Sequence, residues 1–205
     1  LEEAIFDVMD MLSPLAAQKH IDMAFYYADN VPTQVIGDAL RFKQILTNLI
    51  SNAIKFTPDG EIIVRARMEH DDIGQCLLHF SVQDSGIGLS GTDRKKLFES
   101  FSQGDASVTR QFGGTGLGLA ISKQLVHLMQ GQIGFEDNQE RAPTEKGSTF
   151  WFSARFAVND EIEIVHPHFD NMQVVSYLAH PATANILRHY LENYDVHHVE
   201  TSSIL

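Results

Sequence analysis

Three groups of residues have types and spacings that could do chemistry. The first lies in "DALRFKQILTNLISNAIKF", from Asp38 to Phe56. There Phe42, Ile45, Leu46, Leu49, Ile50 and Ala53 recur at i, i+3, i+4 and i+7 and predict the apolar face of a helix. Gln44, Asn48, Asn52 and Lys55 fall on the other side, within an arc of roughly 80° at about 100° per residue. Two carboxamides and an ammonium thus stand in successive turns. A solvated face would account for them, but asparagine is a mediocre helix former that competes for backbone hydrogen bonds. The chemical alternative is a set of oxygen ligands for a hard cation such as Mg2+, which is commonly shared between few protein oxygens and substrate phosphates. Lys55 would then reach a phosphate. Periodicity alone leaves both readings open.

The second group is "DSGIG", in which Asp84 closes the run "CLLHFSVQ" and Gly86 and Gly88 follow. A carboxylate at a strand end beside Gly-x-Gly suits a ligand that approaches the backbone closely, although Asp-Ser-Gly is also ordinary turn chemistry. The third is "QFGGTGLGLAIS", where four of the six residues from Gly113 to Gly118 are glycine and an apolar helical run follows at once. Glycine loses more backbone freedom on folding than any other residue. The run is therefore either a hinge or a loop whose backbone must approach something, phosphate above all. Two familiar phosphate loops are excluded. A dinucleotide fingerprint requires glycine where Leu119 stands, and a Walker loop requires G-K-[ST] where Gly118-Leu119-Ala120 stands.

These groups must be held by an α/β framework. Apolar spacing predicts a first helix from Glu2 to about Lys19, in which Pro14 introduces a kink. "IDMAFYYA" alternates as a strand, and "DNVPTQVIG" reads as a loop. Asp38 is suited to cap the second helix, which Thr57-Pro58-Asp59-Gly60 terminates. Two strands, "EIIVRARME" and "CLLHFSVQD", flank the turn-like "HDDIG". A short helix "TDRKKLFES", a polar stretch, a third main helix from Thr115 to Met129, and the strands "GQIGFED" and "GSTFWFSARF" follow. The expectation is a mixed, mostly antiparallel sheet covered on one face by three helices, an α+β two-layer sandwich over residues 1–157. An acidic linker over 158–171 then leads to strand, helix and strand over 172–205, the opening βαβ of a second unit.

The chain has 205 residues and a formal net charge of −12. Such an acidic balance argues against a nucleic-acid partner, which calls for a basic field. Any bound polyphosphate would need local cations or a metal. The single cysteine, Cys76, excludes an internal disulfide and sits in the apolar "CLLHF" as a packed thiol. No apolar stretch reaches membrane-span length, and the acidic, amphipathic start is unlike a signal peptide. Both ends are abrupt, as in a piece of a longer chain.

Read together and in order, "QILTNLISNAIKFT", "VQDSGIGLS", "LFESFSQGDASVTRQFGG" and "GGTGLGLAIS" resemble the catalytic ATP-binding domain of sensor histidine kinases, within the GHKL superfamily of gyrase B, Hsp90 and MutL-like proteins. The resemblance runs from about Ile21 to Phe156. The wording of "SQGDASVTRQFGGTGLGLAIS" and "GSTFWF" is most similar to hybrid sensor kinases of the BarA/GacS type. It implies that Asp84 receives the adenine amino group, with Gly86 and Gly88 as the floor beside the base. Asn52 would bind Mg2+ with help from Asn48, and Lys55 would neutralise phosphate charge. Phe98 and Phe101 would anchor a mobile ATP lid, in which Arg110 is a phosphate contact. Gly114, Thr115, Gly116, Leu117 and Gly118 would turn backbone N–H groups and a helix N-terminus towards the triphosphate. Thr149 would place a hydroxyl near adenine.

The implied function is transfer of the γ-phosphoryl group of Mg-ATP to a histidine, and none of the ten histidines lies in the expected "H-E-x-x-T-P-L" context. The implied partners are ATP, the dimerising phospho-acceptor helices of the same protein, and a downstream receiver or phosphotransfer domain. The resemblance also implies a cytoplasmic domain without membrane contact of its own, in a parent anchored in the bacterial inner membrane. Hydrolytic relatives carry a glutamate base where Asn48 stands, so slow ATP hydrolysis is expected. A GHKL ATPase and a non-catalytic nucleotide-binding regulator are the alternatives. The tail "VVSYLAHPATANILRHYLENYDVHHVE" resembles the start of a receiver whose acidic pair is replaced by Leu178, Ala179 and His180 before Pro181. "HH" at His197 and His198 reads as solvated, since adjacent strand residues point to opposite faces.

Overall fold

The alternation in "CLLHFSVQD" is realised as a strand whose every second residue is buried, and the rest of the sheet is assembled on it. The computed structural model describes residues 1–32, 34–88, 97–98, 117–138, 147–158, 169, 172–178, 180–194 and 196–201. Its elements are α1 (Glu2–Ala17), β1 (Ile21–Tyr27), β2 (Val35–Ile36), α2 (Ala39–Phe56), β3 (Gly60–Asp72), β4 (Gln75–Asp84), α3 (Gly118–Leu128), β5 (Ile133–Asp137), β6 (Ser148–Val158), β7 (Gln173–Ser176), α4 (Pro181–Asn193) and β8 (His197–Glu200). The expected helix "TDRKKLFES" lies outside the described residues except for Leu97 and Phe98.

Strand order is β1-β3-β4-β6-β2, with β5 also paired to β6. The β1–β3 pair is parallel and the other pairs of this sheet are antiparallel. The segment expected as a plain loop before α2 contains β2, whose two residues pair with Val158 and Ala157. The expected turn over 70–74 is tighter than its composition suggested. Strand β3 continues to Asp72, and Gly74 takes the reversal at φ +72.

One face of the sheet carries the main core. Val64, Ala66, Leu78, Phe80, Val82, Phe152 and Ala154 meet Ile5 and Val8 of α1 and Phe42, Ile45, Leu46 and Leu49 of α2. Phe80 and Phe152 stack at 5.0 Å, and Phe42 meets Phe80 edge-on at 4.9 Å. Helix α2 packs on α1, α3 and β4, and α3 closes the layer over β5 and β6. The expected three-helix cover is therefore present.

The opposite face is covered in part as well. Ala24 of β1 and Ile63 of β3 are register partners that point away from the main core, and both are buried. Helix α4 packs over β1 and β3 there, with Ala184 buried. Around this contact the Tyr27 N–H donates to Tyr190 Oη at 2.8 Å, His180 Nδ1 meets Asp22 Oδ2 at 2.7 Å, and Thr183 Oγ1 donates to Glu61 Oε2 at 3.2 Å. Burial pushes the Tyr190 phenol up to about 12. The parallel pair β7–β8 flanks α4 and completes the expected βαβ. His197 and His198 turn to separate partners on β7, Gln173 and Ser176.

Because Ala184 is 2 % exposed against the sheet, Ala184→Arg overpacks the contact at a cost of about 1–3 kcal/mol. Limited proteolysis should then remove residues 172–205 faster than in the parent, while urea unfolding of the main core keeps its midpoint.

Candidate functional site

Strand parity puts Asp84 in the interior. Cys76, Leu78, Phe80 and Val82 precede it at period two on the buried side of β4, so the next residue in step is a carboxylate only 4 % exposed. A buried charge is tolerated only when hydrogen bonds replace its water. Asp84 Oδ1 accepts the N–H of Gly86 at 2.9 Å and of Ser148 at 3.3 Å, and Oδ2 accepts the Ser148 hydroxyl at 2.6 Å. Burial nevertheless dominates and holds the Asp84 carboxyl above the ordinary aspartate value, with the Ser148 hydroxyl and the two backbone N–H groups pulling the other way.

The surrounding backbone leaves little room for side chains. Gly147 sits at φ +96, and a Cβ there would overlap the Asp84 carbonyl. Gly86 has no space for a Cβ beside the Phe56 carbonyl, which accepts the Ile87 N–H at 3.3 Å. Gly88 takes φ +70, with the Gly147 carbonyl 3.4 Å from where its Cβ would be. From behind, Asn138 Nδ2 donates to the Asp84 carbonyl at 3.0 Å.

Thr149 and its neighbour Ser148 have different partners. The Thr149 hydroxyl donates to Asn138 Oδ1 at 2.8 Å, and the hydroxyl on the Asp84 carboxylate belongs to Ser148. The register explains this. Val82 pairs with Phe150 and Gln83 with Thr149, so the residue in step with Asp84 is Ser148. Parity along "GSTFWF", with Phe150 and Phe152 in the core, contains that information. The role of Asn138 carries no comparable signal.

Asp38 caps α2 by accepting the Arg41 N–H at 3.0 Å. Along the polar stripe of this helix, Asn48 is engaged by a neighbouring helix. Asn48 Nδ2 donates to Ser122 Oγ at 2.9 Å, and a Cβ on Gly118 would overlap Asn48 Oδ1. Asn48 therefore ties α2 to the first turn of α3. One turn on, Asn52 is half-buried and its side chain makes no hydrogen bond among the described residues. Lys55 Nζ lies 4.9 Å from the Phe56 ring. At the start of α3 the cap residue Leu117 supplies no side-chain acceptor to the first-turn N–H groups. Phe98 meets Phe150 edge-on at 6.5 Å. Phe101, Arg110, Gly114, Thr115 and Gly116 lie outside the described residues. An open groove of about 700 Å³ lies along α1, α2 and α3 and takes in Asn48, Gly118 and Ser122, but not Asp84.

The geometry thus joins a buried carboxylate, glycines packed closely around it, and a helix whose C-terminus meets the Asp84 loop while Asn48 reaches the first turn of α3. The sequence profile of the histidine kinase-, DNA gyrase B-, and HSP90-like ATPase family matches residues 37–158. The chain belongs to this family. Within it, the chain is 40% identical over 195 residues to the sensor histidine kinase GacS of Pseudomonas protegens, covering 94% of this chain and 21% of that protein. It is 38% identical over 167 residues to the signal transduction histidine-protein kinase BarA of Escherichia coli, covering 82% of this chain and 18% of that one. The chain therefore spans about a fifth of the length of these relatives. Among solved structures, full-length ShkA in complex with AMPPNP aligns over 99% of this chain and 40% of its own, with TM-score 0.74 and 28% identity. The catalytic domain of histidine kinase ThkA aligns over 76% and 93%, with TM-score 0.58 and 27% identity.

A carboxyl whose proton affinity is raised on folding lends stability that is fully present at low pH and is lost as pH rises through its folded pKa. Asp84 is such a group. Asp84→Asn keeps an acceptor and gives Ser148 Oγ a donor, so at pH 7 it should unfold at higher urea concentration than the parent. That advantage should shrink as pH falls towards 4.

Proposed function

We propose that residues 1–157 are the catalytic ATP-binding domain of a hybrid sensor histidine kinase, which transfers the γ-phosphoryl of Mg-ATP to a histidine outside these 205 residues. The observation that carries this reading is the buried, hydrogen-bonded Asp84 at a strand end, with Gly86 and Gly88 directly after it. A carboxylate in that setting accepts from a donor and rejects an acceptor, so it selects the exocyclic amino group of adenine. Gly86 and Gly88 let the flat base lie against backbone. Ser148 holds Oδ2 and leaves the remaining lone pairs of the carboxylate for the base.

On the phosphate side, the amide oxygen of Asn52 suits Mg2+, since no described residue engages that side chain and hard cations take oxygen ligands. Asn48 would contribute while tethered to Ser122. Bound Mg2+ would offset charge on the triphosphate oxygens. Lys55 would add a fixed cation, and the α3 start would offer N–H groups and a positive helix pole to the same anion. Phe101, Arg110, Gly114, Thr115 and Gly116 complete the proposed lid and phosphate loop, and Phe98 its anchor. A neutral imidazole attacks phosphorus with its own lone pair, so no base is required. Asn48 stands where a base would activate water and cannot take a proton, which suits transfer to histidine and disfavours hydrolysis.

We further infer that residues 158–171 are a linker and that 172–205 begin a receiver-like unit without the metal-binding acids. The alignment of ShkA over 99% of the chain supports treating the tail as part of a shared architecture. Dimerising acceptor helices and a downstream receiver or phosphotransfer domain are the proposed partners. No described helix is long and apolar enough to cross a membrane, and the proposed setting is the cytoplasmic part of a membrane-anchored kinase.

Calorimetric titration tests the reading. The protein should bind ADP and, more tightly with Mg2+ than without it, the analogue AMPPNP. Asn52→Ala should lose the Mg2+ enhancement and keep Mg2+-free ADP binding. No binding by folded protein would overturn the reading.

A further inference from the structure

The last turn of α2 carries Asn52 and Lys55 and ends against the Asp84 loop, and it has an unusual closure. The final carbonyls of a helix have no partner within it and must find one elsewhere. Here each is accounted for. Ala53 O accepts the Thr57 N–H at 3.0 Å, and Phe56 O accepts the Ile87 N–H at 3.3 Å. The remaining two and the carbonyl of Thr57 converge on a single ammonium. Lys19 Nζ donates to Ile54 O at 2.6 Å, Lys55 O at 3.0 Å and Thr57 O at 3.3 Å. An ammonium has three protons, and here three carbonyls take them.

Lys19 is delivered by a turn of its own. After α1, the Lys19 N–H bonds to Ala16 O and the His20 N–H to Ala17 O, and His20 stands at φ +55. That left-handed conformation is uncommon for a residue with a side chain. It turns the chain directly from α1 into β1, and from this turn the Lys19 side chain reaches the end of α2. The carbonyls of Ile54 and Lys55 also belong to the negative pole of the α2 dipole, where a cation is stabilising. Thr57 is fully buried, so water cannot readily replace Lys19 there.

We propose that Lys19 is a positioning residue for the nucleotide site: its ammonium closes the α2 C-terminus and thereby fixes the junction between Phe56 and the Asp84–Gly86–Ile87 loop. This rests on the nucleotide reading given above. Lys19 touches neither Asp84 nor Asn52; it acts through the carbonyls that set where the last turn of α2 stops. Without it two or more buried carbonyls lose their donor, the last turn loosens, and the floor held by Phe56 O shifts with it.

Lys19→Met should weaken ADP and AMPPNP binding by the same factor, about tenfold or about 1.4 kcal/mol, at a temperature well below unfolding. Lys19→Arg, which keeps charge and donors, should recover most of the affinity. Lys55→Met should weaken AMPPNP more than ADP. The comparison is Phe156→Leu, at the opposite end of the sheet, which lowers stability without touching the junction. Affinity in Lys19→Met equal to that of Phe156→Leu would overturn the proposal. A second measurement needs no nucleotide. In the free protein, amide hydrogen exchange at Ile87 should accelerate in Lys19→Met beyond its rate in Phe156→Leu, and equal rates would overturn the proposal. Should the parent bind no nucleotide, the functional reading fails while the exchange comparison still decides the role of Lys19. Should Lys19→Met fail to fold, Lys19→Gln carries the same two comparisons, with Lys19→Arg again as the variant that recovers affinity.

Discussion

A carboxylate taken out of water dictates much of the architecture around it. Asp84 occupies a core-facing position of β4, where continued alternation would ordinarily place an apolar residue. Leaving a charge there without partners costs several kcal/mol, so donors must converge on it from separated segments. Gly86 supplies one from the following loop and Ser148 supplies two from β6. Ser148 can come that near only because Gly147 adopts a positive φ and has no side chain against the Asp84 carbonyl. The loop can fold back only because Gly86 admits the Phe56 carbonyl. Gly86 and Gly147 are therefore consequences of burying it, since the space a side chain would need is taken by the carbonyls of Phe56 and Asp84.

Helix α2 is the second element on which the account rests. Its apolar face anchors the core through Phe42, Ile45, Leu46 and Leu49, while its other face leads from Asn48 at α3 to Lys55 near the Asp84 loop. Displacing it would move both ends of the candidate site together. Such a rigid beam suits phosphoryl transfer, which depends on placing charge rather than on making bonds to the protein. Its middle and its C-terminus are fixed differently: Asn48 pins the middle of the helix to Ser122, and Lys19 and Ile87 fix its C-terminus.

Much of this was legible in the sequence, and the exceptions have physical causes. Helices α1, α2 and α3 and the long strands follow from apolar periodicity, because each buries one face against the same core. Strand β2 escaped because it is two residues long and exists only by pairing with Val158 and Ala157, more than a hundred residues away. Ser148 was readable from the parity of "GSTFWF" as the residue in step with Asp84. The contacts of Asn48 with Ser122 and of Lys19 with the end of α2 join residues 35 to 74 positions apart. No local pattern encodes such pairs. The cover on the back of the sheet by α4 was hidden for a similar reason. Ala24 and Ile63 look like ordinary strand residues until the helix over them is seen.

The central claim is that Asp84 reads a hydrogen-bond donor on the base. Comparing ADP with inosine diphosphate by calorimetry tests it most directly, because the two differ where adenine carries an amino donor and hypoxanthine a carbonyl acceptor. ADP should bind, and inosine diphosphate should bind at least about hundredfold more weakly, since a buried acceptor left facing an acceptor is strongly rejected. Comparable affinities would contradict the claim and remove Asp84 from the recognition of the base.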